Sequence, residues 1–312
     1  MTKQDATPPP STFVATIDIT LAPQLIQDLE EQGFTLTTPM YTIFSAKKQG
    51  ISCTLYQSGK LTVQGKEMGP FIEFYLEPHI LQQFSFTYRD RPEALETDTS
   101  PLDTSARIGI DESGKGDFFG PLCVAGVFAK GDEIIKLKQI GVRDSKSLSP
   151  KMIQQIAHKI RQEFTHHIVK INPPKYNELM EQFQNLNSLL AWGHATAIEQ
   201  LTAKTGCRSV IIDQFANERV VLSALKRKDL ELDLTQRHRG EEDVVVAAAS
   251  ILARNTFVEG MEALEKQFGQ SFPKGCSKQT VAAGKLFVRN HGREALFQVA
   301  KLHFKTLDEI VH

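Results

Sequence analysis

Residues 89–105, RDRPEALETDTSPLDTS, limit what this 312-residue chain can fold into more than any other stretch. They hold Pro92 and Pro101 and almost no bulky apolar side chain. Such a segment cannot bury enough surface to join a core, and its prolines interrupt regular structure. It reads as a linker. The chain is therefore expected to have four parts: a disordered tail over residues 1–11, a small domain over 12–88, the linker, and a larger domain over 106–312. Both domains are of ordinary size.

Within residues 12–88 the patterning is short and regular. Phe13 to Ile19 alternates as a strand. Pro23 opens an amphipathic helix carrying Leu25, Ile26 and Leu29, and Gly33 ends it. Strands are expected over 41–46, 51–56 and 61–64, with turns at Gln49-Gly50 and Ser58-Gly59 where glycine tolerates positive φ. A second helix is expected over 70–84. The order β-α-β-β-β-α suits a curved antiparallel sheet with helices on one side. From residue 106 onward, apolar strands are expected over 107–110, 122–128 and 210–212. Helices are expected over 149–164, 173–203, 241–268 and 292–309. Alternating strands and helices imply an α/β domain with a parallel or mixed sheet.

Composition removes several classes. The formal net charge is −1, so the chain is not a basic wrapper of nucleic acid, though a local basic stripe can still serve. Cys53, Cys123, Cys207 and Cys276 are widely scattered, which argues against a zinc knuckle or disulfide framework and suits a reducing compartment. No continuous apolar run reaches membrane-spanning length, and the N-terminus lacks a signal-peptide pattern. The nine histidines show no H-E-x-x-H spacing. A cytoplasmic monomer is the expectation.

The candidate chemistry lies in carboxylates that follow apolar strands. Ile108-Gly109-Ile110 runs into Asp111-Glu112, then Ser113-Gly114-Lys115-Gly116. Sites in α/β sheets gather at strand ends. Two adjacent carboxylates repel unless a cation sits between them, and hard divalent ions take such oxygens. Val210-Ile211-Ile212 likewise runs into Asp213, although a lone aspartate there also serves as a turn former. Glu241-Glu242-Asp243 open the helix Val244 to Leu252, where acids also suit the helix dipole. Gly114-Lys115-Gly116 allows backbone approach to a phosphate without being a Walker A loop. Ser145, Lys146 and Ser147 offer donors to phosphate. Ser149 before Pro150 reads as a helix cap. Arg254 could reach a phosphate or pair with an acid.

Taken together, Asp111 to Gly116, Asp144-Ser145-Lys146, Ile212-Asp213 and Ala248 to Arg254 resemble the type 2 ribonuclease H family. Gly114-Lys115-Gly116 and Lys301-Leu302-His303-Phe304 point within it to the bacterial ribonuclease HIII group. Residues 46–50 and 59–66 are similar to that group's extra domain, itself described as resembling the TATA-box-binding protein. The resemblance implies a mixed RNase H-like sheet flanked by helices, with a small N-terminal α+β domain. It implies Mg²⁺ or Mn²⁺ held by four acids, and hydrolysis of the RNA strand of RNA–DNA hybrids to 5′-phosphate and 3′-hydroxyl ends. Asp111, Glu112 and Asp213 match three of those acids. Ungapped alignment puts the fourth at Gly240. Asp243, one helical turn on, is the favoured substitute, with Glu241 as the rival. Gly114, Lys115 and Gly116 are expected to read 2′-hydroxyls, which distinguish RNA from DNA. Ser145 and Lys146 are expected at phosphates. Lys47, Lys48, Lys60 and Lys66, with Tyr56, are expected to add affinity from the N-terminal sheet. A DNA nuclease of the same fold and a non-catalytic binding module are the competing readings.

Overall fold

The computed structural model describes residues 12–81, 102–145, 148–213, 218–228, 230, 232–237 and 240–312. The N-terminal tail, most of the linker and Lys146 lie outside the described residues. The chain divides into two compact units, Met1–Asp98 and Thr99–His312.

The first unit runs β1 (Thr12–Thr16), α1 (Ala22–Glu31), β2 (Thr35–Thr37), β3 (Thr42–Lys48), β4 (Ile51–Tyr56), β5 (Lys60–Gln64) and α2 (Met68–Phe71). After α2 the chain continues as a wider π-type helix, Ile72–Leu81. The sheet is antiparallel, ordered β1-β5-β4-β3-β2. Strand β2, three residues long, is one more than the sequence suggested. It lies at the sheet edge with alternation too brief to read. Leu25 and Leu29 of α1 are fully buried against Phe44, Leu55, Leu61 and Val63. Each such leucine contributes roughly 1.5–3 kcal/mol. The turn glycines Gly50 and Gly59 both have positive φ, near 80°.

The second unit runs β6 (Arg107–Ser113), β7 (Leu122–Ala129), α3 (Asp132–Gln139), α4 (Pro150–Glu163), β8 (His166–Ile171), α5 (Pro173–Phe183), α6 (Leu186–Thr205), β9 (Ser209–Asp213), α7 (Glu218–Lys226), β10 (Asp233–Arg237), α8 (Val244–Phe268), α9 (Lys278–His291), α10 (Leu296–Val299) and α11 (Thr306–Val311). The sheet order is β10-β9-β6-β7-β8. β10, β9 and β6 are parallel, whereas β6-β7 and β7-β8 are antiparallel, so the sheet is mixed. The helix expected over 173–203 is two helices, because Gln184 turns left-handed (φ 53°) and Asn185 caps a new start with its side chain. The helix expected over 292–309 is instead α10 and α11, with Lys301 to Phe304 between them.

Helices α8 and α6 cover opposite faces of this sheet. A Cβ on Gly109 would stand 2.4 Å from the Val246 amide nitrogen of α8, and one on Gly126 would stand 2.5 Å from Leu201 of α6. By length and composition α8 could cross a membrane, but 78% of its most apolar window is buried inside the fold. Its apolar surface belongs to the core of a layered domain.

Candidate active site

β6 carries the first two acids, but not at its end. It pairs through Asp111↔Ala125, Glu112↔Val124 and Ser113↔Cys123, so both carboxylates lie within the ladder. Side chains alternate along a strand. Asp111, two residues from Gly109, faces α8, where Ser250 hydrogen-bonds its carboxyl. Glu112 faces α6, where its Oε2 lies 3.0 Å from Nε2 of the buried His194. The Lys115 ammonium lies 3.3 Å from Glu112 Oε1. Alternation turns the two carboxylates to opposite faces, and Lys115 and His194 compensate Glu112, while the Glu112 charge still acts on Asp111.

Asp213 ends β9. The last paired rung between β6 and β9 is Ile110↔Ile212, so Asp111 and Asp213 occupy the next rung of two parallel strands and share the α8 face. Asp213 Oδ1 accepts a hydrogen bond from the Gly240 amide at 2.8 Å. Burial raises the Asp111 pKa well above the ordinary carboxylate value, and the nearby charges of Glu112 and Asp213 raise it further, against the Ser250 hydrogen bond. Burial also pushes Glu112 up, but Lys115 and His194 outweigh it and hold that carboxyl at about 2. As the side chains stand, no three Asp, Glu, His or Cys groups among the described residues converge as a ligand set. What the structure supplies is hard oxygen donors on neighbouring strands, with burial and then crowded charge pushing one proton affinity up.

Asp243 lies elsewhere. It caps α8, its Oδ1 accepting from the Val245 and Val246 amides at 2.9 and 3.2 Å. Its Oδ2 accepts from Arg107 Nε at 2.8 Å, and this pair is buried. Arg107 begins β6, four residues before Asp111, about 13 Å along the strand. The expected role of Asp243 as fourth acid is corrected on this ground: its Oδ1 is taken by the first amides of α8 and its Oδ2 by Arg107 at the far end of β6. Gly240 itself admits no side chain, since a Cβ there would stand 2.8 Å from Asp213 Cα. Glu241 follows it in a short 3-10 turn, Gly240–Glu242.

The remaining candidates divide. Gly114 has φ +89°, and a Cβ on it would meet Pro121 O at 2.3 Å and the Phe257 ring at 2.8 Å. Packing therefore accounts for that glycine. The Gly116 carbonyl accepts from Cys276 Sγ at 3.3 Å. Ser145 is buried, its Oγ 3.0 Å from Ser250 Oγ, one step from Asp111. Arg254 donates to the Ser145 carbonyl at 2.7 Å, so it braces this loop where a phosphate contact or acid pair was expected. Ser149 caps α4 as expected, accepting from the Met152 amide. In the other unit, Lys47, Tyr56 and Lys60 are exposed on the sheet face opposite α1, which the half-buried Thr54 and Thr62 share. Lys48 instead donates to the Gln32 carbonyl. His194 was missed by sequence reasoning. A lone histidine inside an apolar helix gives no local sign of a partner 82 residues away.

A family model described as Ribonuclease HII matches residues 108–307, and one described as a domain of unknown function (DUF3378) matches residues 12–87. The Ribonuclease HIII of Protochlamydia amoebophila is 56% identical over 299 residues, covering 96% of each chain. That of Chlamydia felis is 48% identical over 301 residues, covering 96% of this chain and 97% of the relative. Among solved structures, Bst-RNase HIII in complex with Mn²⁺ superposes with a TM-score of 0.64 at 28% identity, over 96% of this chain and 98% of that one.

Proposed function

The chain belongs to the ribonuclease HIII family, and on that premise we propose that residues 106–312 cut while residues 12–88 help hold the substrate. The protein is an endoribonuclease that hydrolyses the RNA strand of RNA–DNA hybrids, with Mg²⁺ or Mn²⁺ as cofactor. The observation that supports this assignment of the site is the shared face of Asp111 and Asp213, one rung beyond Ile110↔Ile212, with the Asp111 carboxyl pushed up by burial and then by its neighbours. Carboxylate oxygens of this kind fit a hard divalent ion. A bound ion would supply activation of a water and charge neutralisation at the leaving 3′ oxygen, and the hydrolysis leaves 5′-phosphate and 3′-hydroxyl ends.

Asp111, Glu112 and Asp213 hold the metal in this reading. His194 and Lys115 orient Glu112. Glu241 replaces Asp243 as the fourth acid, because its backbone adjoins the Gly240 amide that meets Asp213. The turn Gly114-Lys115-Gly116 faces the 2′-hydroxyls, and Ser145 and Lys146 border a phosphate. The open sheet face of the first unit, with Lys47, Lys60 and Tyr56, adds affinity for the hybrid. We place the protein in the cytoplasm as a monomer without an obligate protein partner. Its four cysteines are free thiols, in keeping with a reducing compartment.

End-labelled RNA–DNA hybrid, duplex DNA and duplex RNA, incubated with Mg²⁺ or Mn²⁺, test the reading. Cleavage of the hybrid's RNA strand alone is expected, lost in Asp111→Asn and Glu241→Gln. Equal cutting of duplex DNA overturns it in favour of a DNA nuclease. Tight binding without cutting overturns it in favour of a binding module.

A further inference from the structure

Helix α9, KQTVAAGKLFVRNH, contains no acidic residue. Its buried side is Thr280, Gly284 and Phe287, and Ile310 of α11 packs over Gly284. Its other side is exposed. Lys278, Ala282, Lys285 and Arg289 fall at i, i+4, i+7 and i+11, a single stripe along the helix, and all four are exposed. The first and last of the three cations are eleven positions apart, about 16 Å of helix. None of them is in an ion pair among the described residues. The acids of the neighbouring α11, Asp308 and Glu309, are exposed and make no ion pair with them.

The start of this stripe is tied to the candidate active site. The Gly275 amide donates to Asp117 Oδ1 at 2.7 Å, the Phe118 amide donates to Gly275 O at 3.2 Å, and Cys276 Sγ donates to Gly116 O. These bonds fix the approach to α9 against the turn that follows Asp111 and Glu112. A row of cations without ion pairs, approached by a segment bonded to the turn after the candidate acids, matches the charge of a nucleic-acid backbone.

We propose that Lys278, Lys285 and Arg289 form a phosphate-tracking rail that carries the hybrid's sugar-phosphate backbone away from the cleavage site; this rests on the hybrid-cutting reading above. The contacts are sequence-independent, so they set affinity and salt dependence.

Fluorescence anisotropy of a labelled RNA–DNA hybrid in EDTA, where no cutting occurs, tests it across a salt series. Lys285→Gln/Arg289→Gln is compared with wild type and with Lys130→Gln/Lys138→Gln. The control pair lies at the opposite end of the β6-β7 hairpin. The slope of log affinity against log salt is expected to flatten by about 1.5 in the α9 variant, at roughly 0.7–0.9 per phosphate contact, and to stay unchanged in the control. A slope and affinity equal to wild type overturn the rail, as does an equal change in both variants. Thermal melting of each variant separates loss of contact from loss of fold. Adding Mn²⁺ to the same wild-type samples reports cutting, so a failure of the enzymatic reading shows separately.

Discussion

Asp243 holds the start of α8 with one oxygen and Arg107 with the other. Truncating it to alanine removes a helix cap and takes a buried carboxylate from the Arg107 guanidinium, which keeps the Ser105 and Asp103 carbonyls. Removing one partner of a buried pair costs roughly 3–5 kcal/mol. Asp243→Ala is therefore expected to lose stability of that order in urea melts, while Mn²⁺ affinity by titration calorimetry stays near wild type. His194 behaves in the reverse sense. It is buried and touches Glu112, so in the proposed reading its task is to orient that carboxylate. Partners that orient a metal ligand are worth about 10–100-fold in metal affinity. His194→Ala is expected to weaken Mn²⁺ binding in that range, and unchanged binding would remove it from the site.

The strand β6 and helix α8 form one slab, and Gly109 is where they touch. A Cβ there meets the α8 backbone at 2.4 Å, and backbone cannot rotate away as a side chain can. Overpacking costs about 1–3 kcal/mol. Gly109→Ala is expected to destabilise by at least that much, and also to lower cleavage, since shifting α8 moves Ser250 from Asp111. A melt unchanged by the substitution would show that the two elements can part freely. A second joint is Lys301, which is fully buried and donates to the Asp117 carbonyl at 2.7 Å. Burial pulls its ammonium down to about 8, against the positive pull of Asp117. The folded pKa is thus below the unfolded value, and between about pH 8 and 10.5 the unfolded chain binds the extra proton. Stability contributed through this group therefore rises with pH across that window. Wild type is expected to gain on the order of 3 kcal/mol relative to Lys301→Gln between those limits. Parallel stability curves for the two proteins would contradict it.

At the scale of the whole molecule there are two units with separate cores. One is centred on Leu25, Phe44 and Leu61, the other on the layers that α8 and its neighbours form around the second sheet. A ligand stabilises only the state that binds it. Calorimetry is expected to show two transitions, with Mn²⁺ raising that of the second unit and leaving that of the first in place. In Asp111→Asn the Mn²⁺ shift should shrink. A single transition moved as a whole by Mn²⁺ would mean that the units unfold together.

Much of this was legible in the chain itself, because it depends on near neighbours. The 3.6-residue period of Leu25 and Leu29 declares a helix, Gly50 and Gly59 declare turns, and Ser149 before Pro150 declares a cap. The apolar runs ahead of Asp111 and Asp213 placed both acids at strand ends. Brief or interrupted elements, such as β2 and the break between α5 and α6, were not legible, since a few residues carry too little period. Only the tertiary structure decided which acids meet. The parallel pairing of β6 with β9 brings Asp111 and Asp213 to one face from 102 positions apart, and the length of β6 turns Glu112 to the other face, toward His194. It also withdrew Asp243, whose spacing on a helix suited the site but whose carboxylate is taken by Arg107, 136 residues away. Local periodicity reports which face a residue occupies. What stands opposite that face is set by pairing and burial between segments remote in sequence.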